Sequence, residues 1–176
     1  MRFASSSVST TTGNTTLSSA GAVTQSQKVA ASGLELLGSG TFTLTNTGAA
    51  NAITTLAGNT GTVSIAEGSG FAIGTVNTVG LTTTGNTTLS STGTVTQSQR
   101  VAAAGLELLG TGGTYTFTNT SNAITTLAGN TGTVSFVENS GFTVATVNTV
   151  GITTSGNLTL SSTGGISITA DIGSGA

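Results

Sequence analysis

The sequence predicts an all-β chain wound as a parallel β-solenoid, and three observations predict this fold. Charged residues make up only 5% of the 176 residues, against roughly 25% in a typical soluble protein. The hydrophobic residues, 35% of the chain, include many β-branched side chains, which favour strands. The third observation is an internal repeat of 71–72 residues. Self-similarity at a fixed period is typical of repeat architectures, in which stacked units bury a shared core.

The repeat is nearly verbatim in two long segments. Gly13–Gly38 returns at Gly85–Gly110 with 22 of 26 positions identical, and Asn51–Gly80 returns at Asn122–Gly151 with 24 of 30 identical. A third copy opens at Thr153. We therefore interpret the chain as a single solenoid, residues 1–176, with a divergent N-terminal end (1–8), repeat 1 (9–80), repeat 2 (81–151) and a partial third repeat with a divergent C-terminal end (152–176).

A finer period predicts about three coils in each repeat. Short strand-like phrases recur around four apolar anchors, which are 28, 19 and 24 residues apart, namely Leu89, Phe117, Phe136 and Leu160. Spacings of this size suit solenoid coils, each of which cannot bury its own apolar face. We therefore expect the four anchors to lie on or near one strand face that points into the solenoid.

The local pattern is that of strands and turns. Thr114–Thr118 and Thr133–Phe136 alternate apolar and small polar residues, which is the period of a half-buried strand. The best helix candidate is Gln99–Leu109, but Gly105 and the Leu106–Leu108 alternation favour strand and turn there. A sandwich or barrel gives no reason for a verbatim 71-residue repeat, and the aromatic signatures of propeller blades are missing.

Composition excludes several functional classes. The net charge of −2 leaves no basic patch for nucleic acid. No apolar run approaches the roughly 18 residues of a membrane helix, so we expect no membrane insertion, and no signal peptide is visible. The sequence has no His, no Cys and one Asp, so we predict no metal site and no cofactor.

The acidic residues are the only candidates for catalysis, and we predict that they are not catalytic. Carboxylate pairs serve glycoside hydrolysis, which makes a β-helical carbohydrate-active enzyme the alternative function. However, these glutamates repeat with the scaffold, whereas an active site needs one asymmetric cluster. We expect them on a solvated outer face, where an ion pair of Lys28 or Arg100 with a glutamate of a neighbouring coil is conceivable but would be weak. The acids are Glu35, Glu67, Glu107, Glu138 and Asp171.

Asparagine and threonine patterns have structural and functional interpretations. Asn14, Asn86, Asn119 and Asn157 stand in Asn-x-Ser/Thr, the glycan acceptor pattern. We favour instead corner positions and stacked Asn ladders, which would also include the pairs Asn59 with Asn130 and Asn77 with Asn148. Threonine-rich stretches such as Thr82–Thr84 leave an ice-binding solenoid as a further, less favoured alternative.

The phrases GNTTLSSTGTVTQSQ, GNLTLSSTGG and GFTVATVNTVGITTSG resemble the repeat regions of filamentous-haemagglutinin-like large bacterial exoproteins of two-partner secretion. The resemblance covers roughly residues 10–165. It implies a right-handed parallel β-helix, export to the bacterial cell surface or the medium, and a role as adhesin or fibre. It also implies host or cell-surface glycans or proteins as partners.

The sequence thus predicts a non-catalytic, extracellular structural or adhesive rod. Neither end carries Pro, a run of Lys or an amphipathic plug, although solenoids normally cover their open strand edges. We therefore expect end-to-end self-association into filaments or longer arrays. The chain is interpreted either as a subunit, which we favour because both ends diverge from the repeat, or as a window of a longer array.

Overall fold

The computed structural model describes residues 9–10, 12–46 and 48–174, and these form a β-solenoid of about eight turns. The predicted fold class is confirmed, and no described residue is helical. The predicted divergent segment 1–8 lies outside the described residues. Gln99–Leu109, the helix candidate, falls largely within a strand.

The described residues form sixteen strands that belong to one sheet. They are β1 (Ser9–Thr10), β2 (Asn14–Ser18), β3 (Ala22–Thr24), β4 (Val29–Leu44), β5 (Ala52–Glu67), β6 (Ala72–Ile73), β7 (Leu81–Thr83), β8 (Thr87–Ser91), β9 (Thr94–Gln97), β10 (Val101–Phe117), β11 (Ala123–Glu138), β12 (Phe142–Val144), β13 (Ile152–Thr154), β14 (Leu158–Ser162), β15 (Ile166–Ile168) and β16 (Ile172–Ser174).

Each coil lies on the next with its strands parallel. The two longest ladders join β4 to β5 and β10 to β11, and both continue around a corner of the coil. At that corner the register shifts beside Gly38 in repeat 1 and beside Gly110 in repeat 2. Both glycines have positive φ, and a Cβ on either would come within 2.4 Å of a backbone oxygen of the coil below. Only glycine fits this corner.

Interior side chains stack in columns along the solenoid. One column runs through Val23, Phe42, Val63, Thr87, Leu106, Leu127, Val144 and Ile168. Its members from Phe42 to Val144 are at most 1% exposed. Columns of this kind are the core of the molecule, because each coil covers the apolar stripe of its neighbours.

The four predicted anchors all face the interior, but they do not form one column. Phe117, Phe136 and Leu160 stack directly on one another. Leu89 lies instead between Ile65 and Leu108, so the 28-residue spacing is not a coil. The coil that follows Leu89 has 19 residues.

The sequence repeat and the coil are out of phase. Val23 is followed in its column, three coils later, by Thr87, whereas the repeat equivalent of Val23 is Val95, eight residues further along the chain. Each repeat therefore holds three coils and about a third of another. Equivalent residues of the two repeats consequently lie on different sides of the rod.

Candidate functional site

The predicted solvated face for the glutamates is wrong. Glu35, Glu67, Glu107 and Glu138 are all buried, with at most 4% of each side chain exposed. Asp171 alone among the predicted acids is exposed. The strand alternation does turn Glu107 away from the interior leucines beside it, but outward-facing is not the same as solvated here.

Two short loops cover the outside of the solenoid, and we name them strap 1 (Thr75–Val79) and strap 2 (Thr146–Val150). The first and last residues of each strap form an antiparallel bridge. Within strap 1 the amide of Val76 donates to the carbonyl of Thr78 at 3.2 Å, and strap 2 repeats this turn.

Strap 1 is fastened to Glu35 of β4. The backbone N–H and the hydroxyl of Thr78 both donate to Oε1 of Glu35 at 2.7 Å. The Asn77 side chain donates to Oε2 at 2.9 Å, and Thr16 on the coil below donates to the same oxygen at 2.8 Å. Four donors therefore satisfy one carboxylate, which is why it tolerates burial.

Strap 2 is fastened to Glu107 of β10 by the same four contacts. Thr149 donates through its N–H and its hydroxyl to Oε1 at 2.7 Å. Asn148 and Thr88 donate to Oε2 at 2.7 Å and 2.8 Å. The sequence prediction missed this site because the donors of the strap lie about forty residues from the acceptor. Its signal was present: the phrase TVNTVG and the phrase GLELLG occur together in both repeats.

Small residues make room for the straps. Ala57 lies under strap 1 and Ala128 under strap 2, and both are fully buried. A Cβ on Gly33 would come within 3.0 Å of the Val76 side chain, and Gly105 has the same relation to Val147. Larger side chains at these positions would lift the straps off the strands.

Both carboxylates are held in the ionised form. Hydrogen bonds from Asn77 and Thr78, which outweigh desolvation, lower the pKa of Glu35 from 4.5 to about 2. Burial opposes ionisation of Glu107 most strongly, but the hydrogen bonds from Asn148, Thr149 and Thr88 together outweigh it and lower that pKa too. The donors are neutral, so neither Lys28 nor Arg100 supplies the predicted ion-pair partner.

Glu67 and Glu138 lie at another corner and bind only nearby groups. Glu67 accepts from the amides of Ser69 and Gly70, in the turn that follows it. Glu138 accepts from the amide of Ile124 at 2.9 Å and from the Ser140 hydroxyl at 2.8 Å. Within the described part of the chain, each of the four buried glutamates has its own hydrogen-bond partners.

A buried amide network closes the same corner in each repeat, and the sequence prediction did not identify it. Oδ1 of Asn51 accepts from the Val29 amide and from Gln25, both at 2.8 Å. Its Nδ2 donates to two backbone carbonyls, on its own coil and on the next. Asn122 and Gln97 build the equivalent network in repeat 2. The network joins three consecutive coils.

The predicted Asn ladders are not formed at the paired positions. Asn59 stacks between Leu37 and Thr82. Asn130 likewise stacks between Leu109 and Thr153. The second predicted pair, Asn77 and Asn148, belongs to the straps. Because the repeat is not a whole number of coils, equivalent asparagines are not brought above one another.

Two findings complete the description of the site. Among residues 9–10, 12–46 and 48–174, no three acidic, His or Cys side chains lie together in a way that could hold a metal. Nor does any described segment form a helix long and apolar enough to cross a membrane.

Comparisons of the chain with family models, with curated proteins and with solved structures returned no match.

Proposed function

We propose that this chain is a non-catalytic, extracellular rod that assembles end to end into a fibre with a structural or adhesive role. The location and the adhesive role rest on the resemblance to the large exoproteins. Support for a passive role comes from the glutamates, because each buried carboxylate accepts hydrogen bonds from the scaffold around it.

The observation that carries the proposal is the apolar surface of the last described coil. Ile168 follows Val144 in an interior column, and Val144 is fully buried while Ile168 is 60% exposed. Ile172 follows the fully buried Ile152 and is 43% exposed. Covering such side chains stabilises by about 1.5–3 kcal/mol each. An additional coil would bury both.

The occupant that we propose for this surface is the N-terminal coil of a second copy. Asp171 stands at the repeat position that Lys28 and Arg100 occupy in the two full repeats. Lys28 directly precedes Val29, which stacks on Ser9 of the first described coil, whereas Asp171 lies on the last described coil. Opposite charges therefore stand near the two ends at equivalent repeat positions, which favours a head-to-tail arrangement over head-to-head. A head-to-tail contact of this kind does not close and builds a filament.

Sedimentation velocity over a range of concentrations tests this proposal. We expect the average mass of the unaltered chain to rise with concentration above 16.9 kDa. The double variant Ile168→Lys/Ile172→Lys should remain a monomer, because two buried charges would be unpaired at the junction. Val79→Lys is the matched control, since Val79 is also 60% exposed but lies on strap 1. A concentration-independent monomer for the unaltered chain, or equal association of the double variant and the control, would contradict the proposal.

One observation favours a second candidate, binding to ice. On one face of repeat 2, successive coils place Thr94, Thr114 and Thr133 in one row, and Thr96, Thr116 and Ser135 in a parallel row. The hydroxyls repeat at about 4.8 Å between coils and about 6.7 Å between rows. If this array binds ice, the chain should inhibit ice recrystallisation and Thr116→Lys should abolish the effect. Unaltered crystal growth in the presence of the chain would eliminate this candidate.

A further inference from the structure

The two straps run along the rod rather than around it. Beneath strap 1, Thr16, Glu35 and Ala57 stack on successive coils, and Gly80 bonds to the coil of Ala57 through the Gly58 amide. Strap 1 leaves the coil of Gly80 and is fastened two coils away. The hydrogen bond from Thr16 extends the connection by one further coil.

Strap 2 reaches the coil from which strap 1 departs, on a different side of the rod. It leaves the coil of Gly151 and crosses Ala128, and its Asn148 amide donates to Glu107 and, at 3.3 Å, to the Thr88 hydroxyl. Thr88 lies only eight residues after Gly80, on the coil from which strap 1 departs. The two straps together therefore connect every coil from Thr16 to Gly151.

We propose that the straps form two external braces on different sides of the rod that overlap on one coil, and that each buried carboxylate is a latch that fastens one strap and resists axial separation of the coils. The inter-coil ladders of a solenoid otherwise transmit tension only between nearest neighbours. A tie that spans three coils shares the load among ladders that would break one at a time. Such a brace would strengthen each subunit of the proposed fibre. Its resistance to axial separation of the coils can be measured on a single monomer.

The carboxylate is the part of the latch that no neutral side chain reproduces. Four donors converge on the two carboxylate oxygens of Glu107. A carboxylate accepts at both oxygens, whereas an amide would present N–H groups to Asn148. Hydrogen bonds to an ionised acceptor are also stronger than neutral ones.

Hydrogen exchange at the strap amides tests the latch. In Glu107→Ala we expect the Thr149 amide to exchange about tenfold to a hundredfold faster, with no change at Thr78 in strap 1. Glu138→Ala is the matched control, because it removes another buried glutamate of the same repeat whose partners lie outside the strap. Unchanged exchange at Thr149 in Glu107→Ala, or equal acceleration in the control, would overturn the latch.

A second variant keeps the test decisive if Glu107→Ala fails to fold. Thr149→Ala removes one hydroxyl from strap 2 and leaves the strands untouched, so folding is not at risk. We expect exchange across strap 2 to be several-fold faster in this variant. Protection as in the unaltered chain would again contradict the latch.

Mechanical unfolding tests the brace itself, at dilutions where the chain is a monomer. Pulled between its termini, Glu35→Ala/Glu107→Ala should unfold about tenfold to a hundredfold faster at a given force than Glu67→Ala/Glu138→Ala. Equal rates in the two double variants would mean that the straps bear no axial load. Because no association is involved, this result is independent of the proposed filament.

Discussion

The interior and the exterior of the two repeats have changed to different extents. Inside, the stacked pair Leu44 and Ile65 of repeat 1 is replaced in repeat 2 by Phe117 and Phe136. Outside, both straps and their glutamates have identical residues and matching hydrogen bonds.

The difference shows which interactions tolerate substitution. An interior column is satisfied by any apolar pair that fills its space, provided that both members change together. In repeat 2 the aromatic pair is extended by edge-to-face contacts of Tyr115 with Phe117 and of Phe136 with Phe142, at ring distances of 5.9 Å and 5.1 Å. A latch has no equivalent freedom, because four donors at fixed positions need one acceptor of one shape.

The corner glutamates show the intermediate case. Glu67 and Glu138 are equivalent in sequence, both are buried, and each accepts from the serine hydroxyl two residues later. Glu67 also accepts from amides of the turn that follows it, whereas Glu138 accepts from the Ile124 amide at the start of its own strand β11. Gly68 follows the first and Asn139 follows the second. Ala66 and Val137 also differ on the other side of the glutamate, so substitutions at both neighbouring positions coincide with a change of backbone partners.

The largest effect should come from truncation of an interior column. Phe117→Ala should lower the free energy of unfolding by about 3–5 kcal/mol, and Leu44→Ala in repeat 1 by about 2–5 kcal/mol. Urea unfolding monitored by circular dichroism measures both. The double variant Phe117→Leu/Phe136→Ile installs the repeat 1 pair in repeat 2, and we expect it to cost less than the sum of its single changes. Strict additivity would mean that the pairs do not pack as units.

A smaller effect on the free energy of unfolding should come from protonation of one latch carboxylate, and it should appear as the pH falls. The pKa of Glu35 is about 2 in the fold and 4.5 in its unperturbed state. A lowered folded pKa contributes stability above the unfolded value, and this contribution is lost as the pH falls from about 4.5 towards 2. The free energy of unfolding should therefore fall over this range, and it should fall less steeply in Glu35→Gln.

Phe117→Ala is the reference for that titration, because a neutral cavity should lower the whole pH curve without changing its slope. If Glu35→Gln keeps the acid slope of the unaltered chain, the carboxylate does not carry the charge-dependent part of the latch. Glu107, whose pKa is also lowered, should account for part of the slope that remains.

The fold was predictable because its causes are local or periodic. Alternation around Phe117 and Phe136 predicted strands, and the verbatim repeat predicted stacking. The position of Leu89 was not predictable in the same way, since a coil closes by strand register and residues counted along the sequence do not record that register. Each repeat exceeds three coils by about a third of a coil, and this excess places Leu89 outside the column of the other three anchors.

The contact between each strap and its glutamate could not be predicted from local sequence patterns, and the cause is related. Alternation placed Glu107 correctly on the outer side of β10, but whether that side is wet depends on a loop about forty residues away. Only the joint repetition of TVNTVG and GLELLG connected the two, and repetition alone does not say what a residue contacts. The Asn51 network was missed for a similar reason, because the residue type does not show whether an Asn at a corner is exposed or buried.

Cryo-electron microscopy of the concentrated protein tests the central claim, that coils stack within the chain and chains stack end to end, most directly. We predict unbranched filaments whose width is that of one solenoid, with a repeat of about 4.8 Å along the filament axis. Compact single particles at every concentration, or filaments whose strands run along the axis, would contradict it.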